Sequence, residues 1–319
     1  MPFEEITDRS KRTFKKLRLS LGNACNFSCI YCVSPDSKSQ MMQSGLSVKE
    51  YIQIVKSLHS ILQLEEVRLT GGEPCLYPEL GELLCGLRDL GIPKLTLTSN
   101  GSLIEKFIPS FLNCKLSSVN ISLDGTDPVI FQRMSQRNSA KKTLSAIDSL
   151  IQAGIPTRLN ATLVKGFNHE ETIPLLEFAG KRNIVIRYIE LMNMGHLKEK
   201  GGKFIFSEKE ILETIQSKYS IIELPRNPSS TARYWQTTDT DYIFGIIANE
   251  SSPFCADCNR LRLDSRGNLF GCLSSPVSFS IMDKLDKPDE LKRILIAALG
   301  LKQTERFSGS STIMKEIGG

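Results

Sequence analysis

Cys25-Asn26-Phe27-Ser28-Cys29-Ile30-Tyr31-Cys32 puts three thiols on one short loop, directly behind a strand candidate at 16–21 (KLRLSL). Three thiolates this close suit a [4Fe–4S] cluster, in which each cysteine holds one iron and the fourth iron stays open to a ligand. A zinc site with a distant fourth ligand is the alternative, although structural zinc usually closes with four ligands. The surroundings favour iron and sulfur. A second strand candidate (66–70) runs into Gly71-Gly72-Glu73-Pro74, and a third (94–99) into Ser99-Asn100-Gly101. Glycines at strand ends let backbone approach a ligand closely, and Glu73 can accept from an ammonium group. All three loops sit at C-terminal strand ends, the edge where α/β proteins bind ligands.

The alternation continues outward. Further strand candidates lie at 118–124, 157–164 and 185–191, with helical periodicity at 47–62, 79–90, 138–153 and 170–182. Repeated βα units predict a parallel sheet with helices outside, either a partial TIM-type barrel of six units or a doubly wound sheet. After about residue 205 the pattern changes. A helix at 207–218 precedes a Pro/Ser/Asn-rich break at 225–230. Strand-like pieces follow at 232–235, 242–248 and 260–270, the last containing the turn Ser265-Arg266-Gly267-Asn268, and then a helix at 288–299. The expected division is a core barrel over 1–224 and a C-terminal α+β domain over 225–319.

A second cysteine group, Cys255, Cys258 and Cys272, again offers three ligands. Between its members Arg260 and Arg262 share parity on an extended segment, so both face one side. Paired guanidiniums beside a metal site suit a phosphate or carboxylate, and a zinc ribbon with solvated arginines is the alternative. Arg18, Arg68, Arg158 and Arg187 lie inside four of the six strand candidates. A charge in a buried parallel strand is costly unless it binds something, so four arginines in one lumen predict an anion pocket.

The 319 residues carry a formal charge of +5, with 40% hydrophobic and 24% charged residues. That balance tolerates an anionic ligand without demanding nucleic acid, and no basic tract interleaves with aromatics. No run of 18 apolar residues suggests a membrane span, and the N-terminal dozen lacks a secretory apolar core. A cytoplasmic location is therefore expected, with the nine cysteines reduced and no disulfide framework. Cys75 and Cys114 read as small buried hydrophobes, and Lys11, Arg12, Lys15 and Lys16 as a solvated basic face.

C-x3-C-x-Y-C followed by GGEP resembles the signature of the radical S-adenosylmethionine enzymes. Ser230-Thr231-Ala232-Arg233-Tyr234, Gly245-Ile246-Ile247, Pro253-Phe254-Cys255, Cys258-Asn259-Arg260-Leu261-Arg262-Leu263, Gly267, Cys272-Leu273 and the closing Gly318-Gly319 resemble, within that group, the GTP 3',8-cyclases of molybdenum cofactor biosynthesis. The resemblance runs from Asp8 to Gly319. It implies the barrel, two [4Fe–4S] clusters and S-adenosylmethionine, cleaved to a 5'-deoxyadenosyl radical that takes hydrogen from ribose C3' of GTP. It places Cys25, Cys29 and Cys32 on the first cluster and Cys255, Cys258 and Cys272 on the second. It places Tyr31, Gly71, Gly72, Glu73, Ser122 and Met192 at S-adenosylmethionine. Arg18, Arg68, Ser99, Arg158, Arg187, Arg260, Leu261 and Arg262 fall at GTP, with Gly318 and Gly319 threaded beside the substrate. Implied partners are an external one-electron reductant, a downstream pterin-forming enzyme and a second copy of the chain in a homodimer. The chain departs from the family pattern at Glu66, at Cys75-Leu76-Tyr77, at Ser99 and at Arg158. Rival readings are a radical enzyme acting on a peptide or a different nucleotide, and a zinc-stabilised binding module.

Overall fold

The computed structural model describes residues 6–34, 45–199, 201–227 and 230–318. Six parallel strands come first: β1 (Lys16–Ser20), β2 (Glu66–Thr70), β3 (Lys94–Ser99), β4 (Ser118–Ser122), β5 (Thr157–Leu163) and β6 (Val185–Glu190). The intervening helices are α1 (Val48–Leu62), α2 (Leu80–Asp89), α3 (Ile108–Asn113), α4 (Pro128–Ser135), α5 (Ala140–Gln152) and α6 (Thr172–Gly180). After α7 (Glu208–Gln216) come β7 (Ile221–Glu223), β8 (Arg233–Thr237), β9 (Ile243–Ile247), β10 (Arg260–Leu263), β11 (Asn268–Phe270), β12 (Phe279–Ser280) and α8 (Pro288–Leu299). The barrel strands and long helices fall where the sequence pattern puts them. Helices α3 and α4 and strands β7 and β12 are additional, and the 260–270 segment divides into β10 and β11 around its turn.

Among the described residues the twelve strands form one sheet, ordered β12-β11-β10-β1-β2-β3-β4-β5-β6-β9-β8-β7. The consecutive parallel strands β1 to β6 form the partial barrel. Strand β10 extends it in parallel beside β1, and β9 beside β6. Strands from beyond residue 225 therefore flank the barrel on both sides.

The barrel strands alternate because their two faces meet different surroundings. Leu17, Leu19, Val67, Leu69, Leu95, Leu97, Val119, Ile121, Leu159 and Ile186 are 0–1% exposed and join one core with the helices. The intervening residues, among them Arg18, Arg68, Ser122, Asn160 and Arg187, face the lumen. Wrapped parallel strands usually read as continuous apolar runs, so this alternation itself marks a polar interior. Helix α1 shows how the outer layer is fixed. Ser47 and Glu50 make a reciprocal capping box, and Tyr51, Ile54, Val55, Leu58, Ile61 and Leu62 form the stripe that packs inward.

Cys114 is not the isolated buried thiol that the sequence suggests. It forms a disulfide with Cys85, whose Cα lies 4.8 Å away. Packing of α2 against α3 brings the pair together, and a separation of 29 residues carries no local signal of it. Among the described residues no helix is long and apolar enough to cross a membrane.

Leu69→Ala, which empties a fully buried site in β2, is expected to lower unfolding free energy by about 2–5 kcal/mol. Val129→Ala, at a residue 75% exposed, should change it by no more than about 0.5 kcal/mol. Denaturant titration of the two variants beside the wild type measures both.

Candidate functional site

A single cavity of about 310 Å3 at the C-terminal strand ends is lined by all six grouped cysteines, and each is a free thiol. The size suits a small-molecule site. The first cysteine loop is held from three directions. Ser28 and Ile30 donate backbone N–H groups to the carbonyls of Ser135 and Met134 on α4, at 3.1 and 3.0 Å. A ring nitrogen of His196 lies 3.1 Å from the Ile30 carbonyl. Asn100 donates its side-chain amide to Asn26 at 2.8 Å and lies 3.9 Å from Cys25 Sγ.

The Gly71-Gly72-Glu73 loop is zipped onto the same segment. Gly72 and Glu73 donate to the carbonyls of Gly22 and Ala24, each at 2.8 Å. A Cβ on Gly72 would stand 2.1 Å from the Ala24 oxygen, so glycine is required for this backbone contact. Both Gly71 and Gly72 also line the cavity. Glu73 does not line it. Its carboxylate accepts from Cys75 N–H at 3.0 Å, Ser99 Oγ at 2.7 Å and Asn100 N–H at 2.8 Å. Burial raises its pKa, and these three donors oppose the shift. Here Glu73 ties the second-strand loop to the third-strand loop, where the sequence suggests an ammonium acceptor. Ser99, Ser122 and Met192 line the cavity.

Tyr31, between two of the cysteines, donates its hydroxyl to Asp124 at 2.8 Å. Asp124 also accepts from Thr162 N–H at 2.8 Å, and burial pushes its carboxyl up to about 6. No motif marks Asp124 in the sequence, although it ends the fourth strand candidate on the same face as Ser122.

Five of the six candidate arginines line this one cavity: Arg18, Arg68, Arg187, Arg260 and Arg262. Arg187 donates to Asn160 at 2.9 Å and Asn120 at 2.6 Å. Burial first, then neighbouring guanidiniums, lowers the Arg18 pKa far below the ordinary arginine value and brings Arg187 and Arg262 to about 10. Such crowding of like charge is relieved by an anion. Arg158 is a correction. It shares parity with Asn160 but lies nearer the start of β5, is exposed, and approaches Ser118 Oγ at 3.4 Å outside the cavity lining. Leu261 is the second correction. Its parity is opposite to that of Arg260 and Arg262, and its side chain is fully buried in the helix-side core.

The second cysteine group is built from distant parts of the chain. Arg12, expected on a solvated face, is 9% exposed. It donates to the Cys255 carbonyl and, at 3.0 Å, to that of Gln303, while Asp8 holds its other edge. Lys302 donates to Cys258 Sγ at 3.2 Å and to the Arg260 carbonyl at 2.8 Å, with its ammonium 5.1 Å from the Phe14 ring centroid. Arg260 donates to the same sulfur at 3.2 Å. Lys302 lies beyond the last helix, where no periodicity could mark it.

The two groups differ electrostatically. Burial raises the thiol pKa at Cys25 (to about 12), Cys29 and Cys32. Burial also acts upward on Cys258, but Arg260 and Lys302 overcome it and bring that thiol down to about 5. Thiolate is the ligating form, so metal uptake at the first group must displace protons, whereas Cys258 is already deprotonated at neutral pH.

The C-terminal segment spans the distance between the groups. Lys315 meets Cys32 through its backbone, and the Gly318 carbonyl accepts from Arg262. Gly318 has φ +75°, and an added Cβ would stand 2.2 Å from Thr70 Oγ1. Gly319 lies outside the described residues. Both cysteine groups place three free thiols on the lining of one cavity, beside residues able to bind an anion. Among the described residues no three such side chains are gathered tightly enough for a single metal ion, and soft sulfur donors suit iron–sulfur clusters.

Residues 19–179 match the model of the radical SAM superfamily, and residues 184–308 match Molybdenum Cofactor Synthesis C. A GTP 3',8-cyclase of Synechocystis sp. is 33% identical, covering 98% of this chain and 95% of its own. A GTP 3',8-cyclase of Marinobacter nauticus is 30% identical over 98% and 97%, respectively. Among solved structures, Streptococcus suis SuiB bound to S-adenosylmethionine superposes with a TM-score of 0.67 at 16% identity, covering 91% of this chain and 68% of that one. That likeness concerns the fold.

In iron-free, reduced protein, Cys258 should alkylate rapidly down to about pH 5. Lys302→Met removes a cation that favours the thiolate, so the midpoint of the alkylation rate against pH is expected to rise by roughly one to two units. An unmoved midpoint would show that Lys302 does not set this thiolate.

Proposed function

The chain belongs to the radical SAM superfamily and, within it, to the GTP 3',8-cyclases, and from this membership we propose how its residues divide the work. It converts GTP to (8S)-3',8-cyclo-7,8-dihydroguanosine 5'-triphosphate, the first step of molybdenum cofactor biosynthesis, by joining ribose C3' to guanine C8. The observation that carries the assignment of roles is the shared cavity, which gathers two thiol triads and five guanidiniums.

Cys25, Cys29 and Cys32 would hold a [4Fe–4S] cluster that serves S-adenosylmethionine, and Cys255, Cys258 and Cys272 would hold a second cluster. When bound and reduced, the first cluster and S-adenosylmethionine supply a carbon radical able to take hydrogen from an unactivated C–H bond. The protein positions, shields and neutralises. Tyr31, Gly71, Gly72, Ser122 and Met192 surround S-adenosylmethionine, and Glu73 fixes the loops that carry it. Arg18, Arg68, Arg187, Arg260 and Arg262 take the triphosphate, whose negative charge offsets their mutual repulsion. Ser99 shapes the wall between the two ligands through its bond to Glu73. Gly318, packed so closely on Thr70 that a side chain has no room, sets its carbonyl on Arg262 beside the phosphate site. The reading calls for an external one-electron reductant, a pterin-forming enzyme to take the product, and a reducing cytoplasm that keeps the ligand thiols free.

Anaerobic enzyme given S-adenosylmethionine, a strong reductant and GTP deuterated at C3' should place the label in 5'-deoxyadenosine. Cofactor cleavage indifferent to GTP would reject the cyclase. Cys272→Ala is expected to lower bound iron from about eight to about four atoms per chain while the first cluster persists. Retention of about eight, by iron analysis, would reject the second-cluster assignment.

A further inference from the structure

Arg68 faces the arginine-lined cavity with its charge already engaged. Its Nη2 donates to Glu66 Oε1 at 2.6 Å, and its Nε donates to Thr96 Oγ1 at 3.2 Å. Thr96 Oγ1 in turn donates to the same Glu66 oxygen at 3.3 Å, closing a small ring. The pair is mostly sheltered, with 22% of the arginine and 14% of the glutamate side chain exposed. Glu66 shares strand parity with Arg68 and stands one pleat nearer the start of β2, level with Lys16 on β1 and Lys94 on β3. Arg68 lines the cavity and Glu66 stands just beneath that lining, so the carboxylate acts on the cavity through Arg68.

The two acids that line the cavity are engaged differently. Asp124 is held by Tyr31 and Thr162, and Glu190 accepts from the backbone of Glu208, Glu250 and Ser251. Among the described residues, the ion pair to the arginine set is the one with Glu66. Glu66 holds its carboxyl ionised. Burial acts upward, but Arg68, Lys16 and Thr96 together leave its pKa below the ordinary carboxylate value.

We propose that Glu66 is a specificity-determining residue that competes with substrate phosphate for Arg68 and so weakens the site's grip on highly charged nucleotides. A carboxylate oxygen on a guanidinium is the same kind of contact that a phosphate oxygen makes. A terminal phosphate arriving at Arg68 must draw the guanidinium off Glu66 or accept the repulsion of the carboxylate just behind it. Either cost grows with the number of phosphates and is absent from a ligand that does not reach Arg68. Glu66 thus favours release of the triphosphate product and narrows the affinity gap between a nucleoside triphosphate and a monophosphate. The inference rests on the assignment of the arginines to the triphosphate.

The test uses holoenzyme with both clusters, anaerobically, and measures dissociation constants for GTP and GMP by calorimetry. In the wild type GTP must bind tighter than GMP. If it does not, the arginine assignment fails and the proposal with it. Glu66→Gln keeps an oxygen that can accept from Arg68 but removes the charge. It should tighten GTP by about five- to tenfold and GMP by less than about twofold. A second variant, Glu66→Ser, removes both the charge and the contact and should tighten GTP similarly. If Gln leaves GTP affinity unchanged while Ser weakens it, Glu66 merely positions Arg68 and the proposal is overturned. Equal tightening of GTP and GMP also overturns it, since the effect would not track phosphate number.

Discussion

Guanidinium groups from four strands point into one lumen, and their mutual repulsion is the constraint around which the rest of the interior is arranged. Their partners differ in charge. Arg187 rests on the amide oxygens of Asn120 and Asn160. Arg262 donates to carbonyls of the C-terminal segment, Arg260 to the Cys258 sulfur, and Arg68 to Glu66. Neutral carbonyls and amides solvate a cation without cancelling it, so the lumen keeps a net positive field for an anion. Replacing those partners with carboxylates would make a better-satisfied interior that binds phosphate poorly.

The two thiol groups differ in their surroundings. Burial, with the Asp124 carboxylate adding to it at Cys29, holds the first group's thiols above the ordinary thiol value. In the second group burial raises Cys255, but Arg260 and Lys302 bring Cys258 down, so thiolate forms readily at that one position. Cations around a cluster stabilise its more reduced, more negative states, and hydrogen bonds to sulfur act in the same direction. The asymmetry gives the two sites different electronic characters before any ligand arrives, even though their ligand counts are equal.

Much of this was legible in the chain. Six strands, the long helices, the two cysteine triads and the arginine-lined lumen follow from periodicity, spacing and the oddity of charge in parallel strands. The failures have physical causes. Arg158 obeys the parity rule, but parity says nothing about height along the barrel axis, and one pleat takes it out of the cavity. Leu261 belongs to the right segment and the wrong face. Arg12 and Lys302 look like surface cations because their partners are backbone carbonyls and a sulfur brought in by tertiary packing. The Cys85–Cys114 pair is invisible for the same reason.

The sheet order also constrains how the molecule can be made. Strand β1 is completed on one side by β2 and on the other by β10, more than two hundred residues later. While the chain is being synthesised, β1 and β6 are both open edges, each ready to pair with whatever strand comes first. The nascent chain must hold a half-wrapped, cationic sheet with reactive thiols exposed until β9 and β10 arrive. Contacts of such long sequence separation form slowly and leave intermediates open to misassociation. Low temperature, slow translation and early supply of iron and sulfide should therefore govern the yield of folded protein more than the stability of the finished fold does.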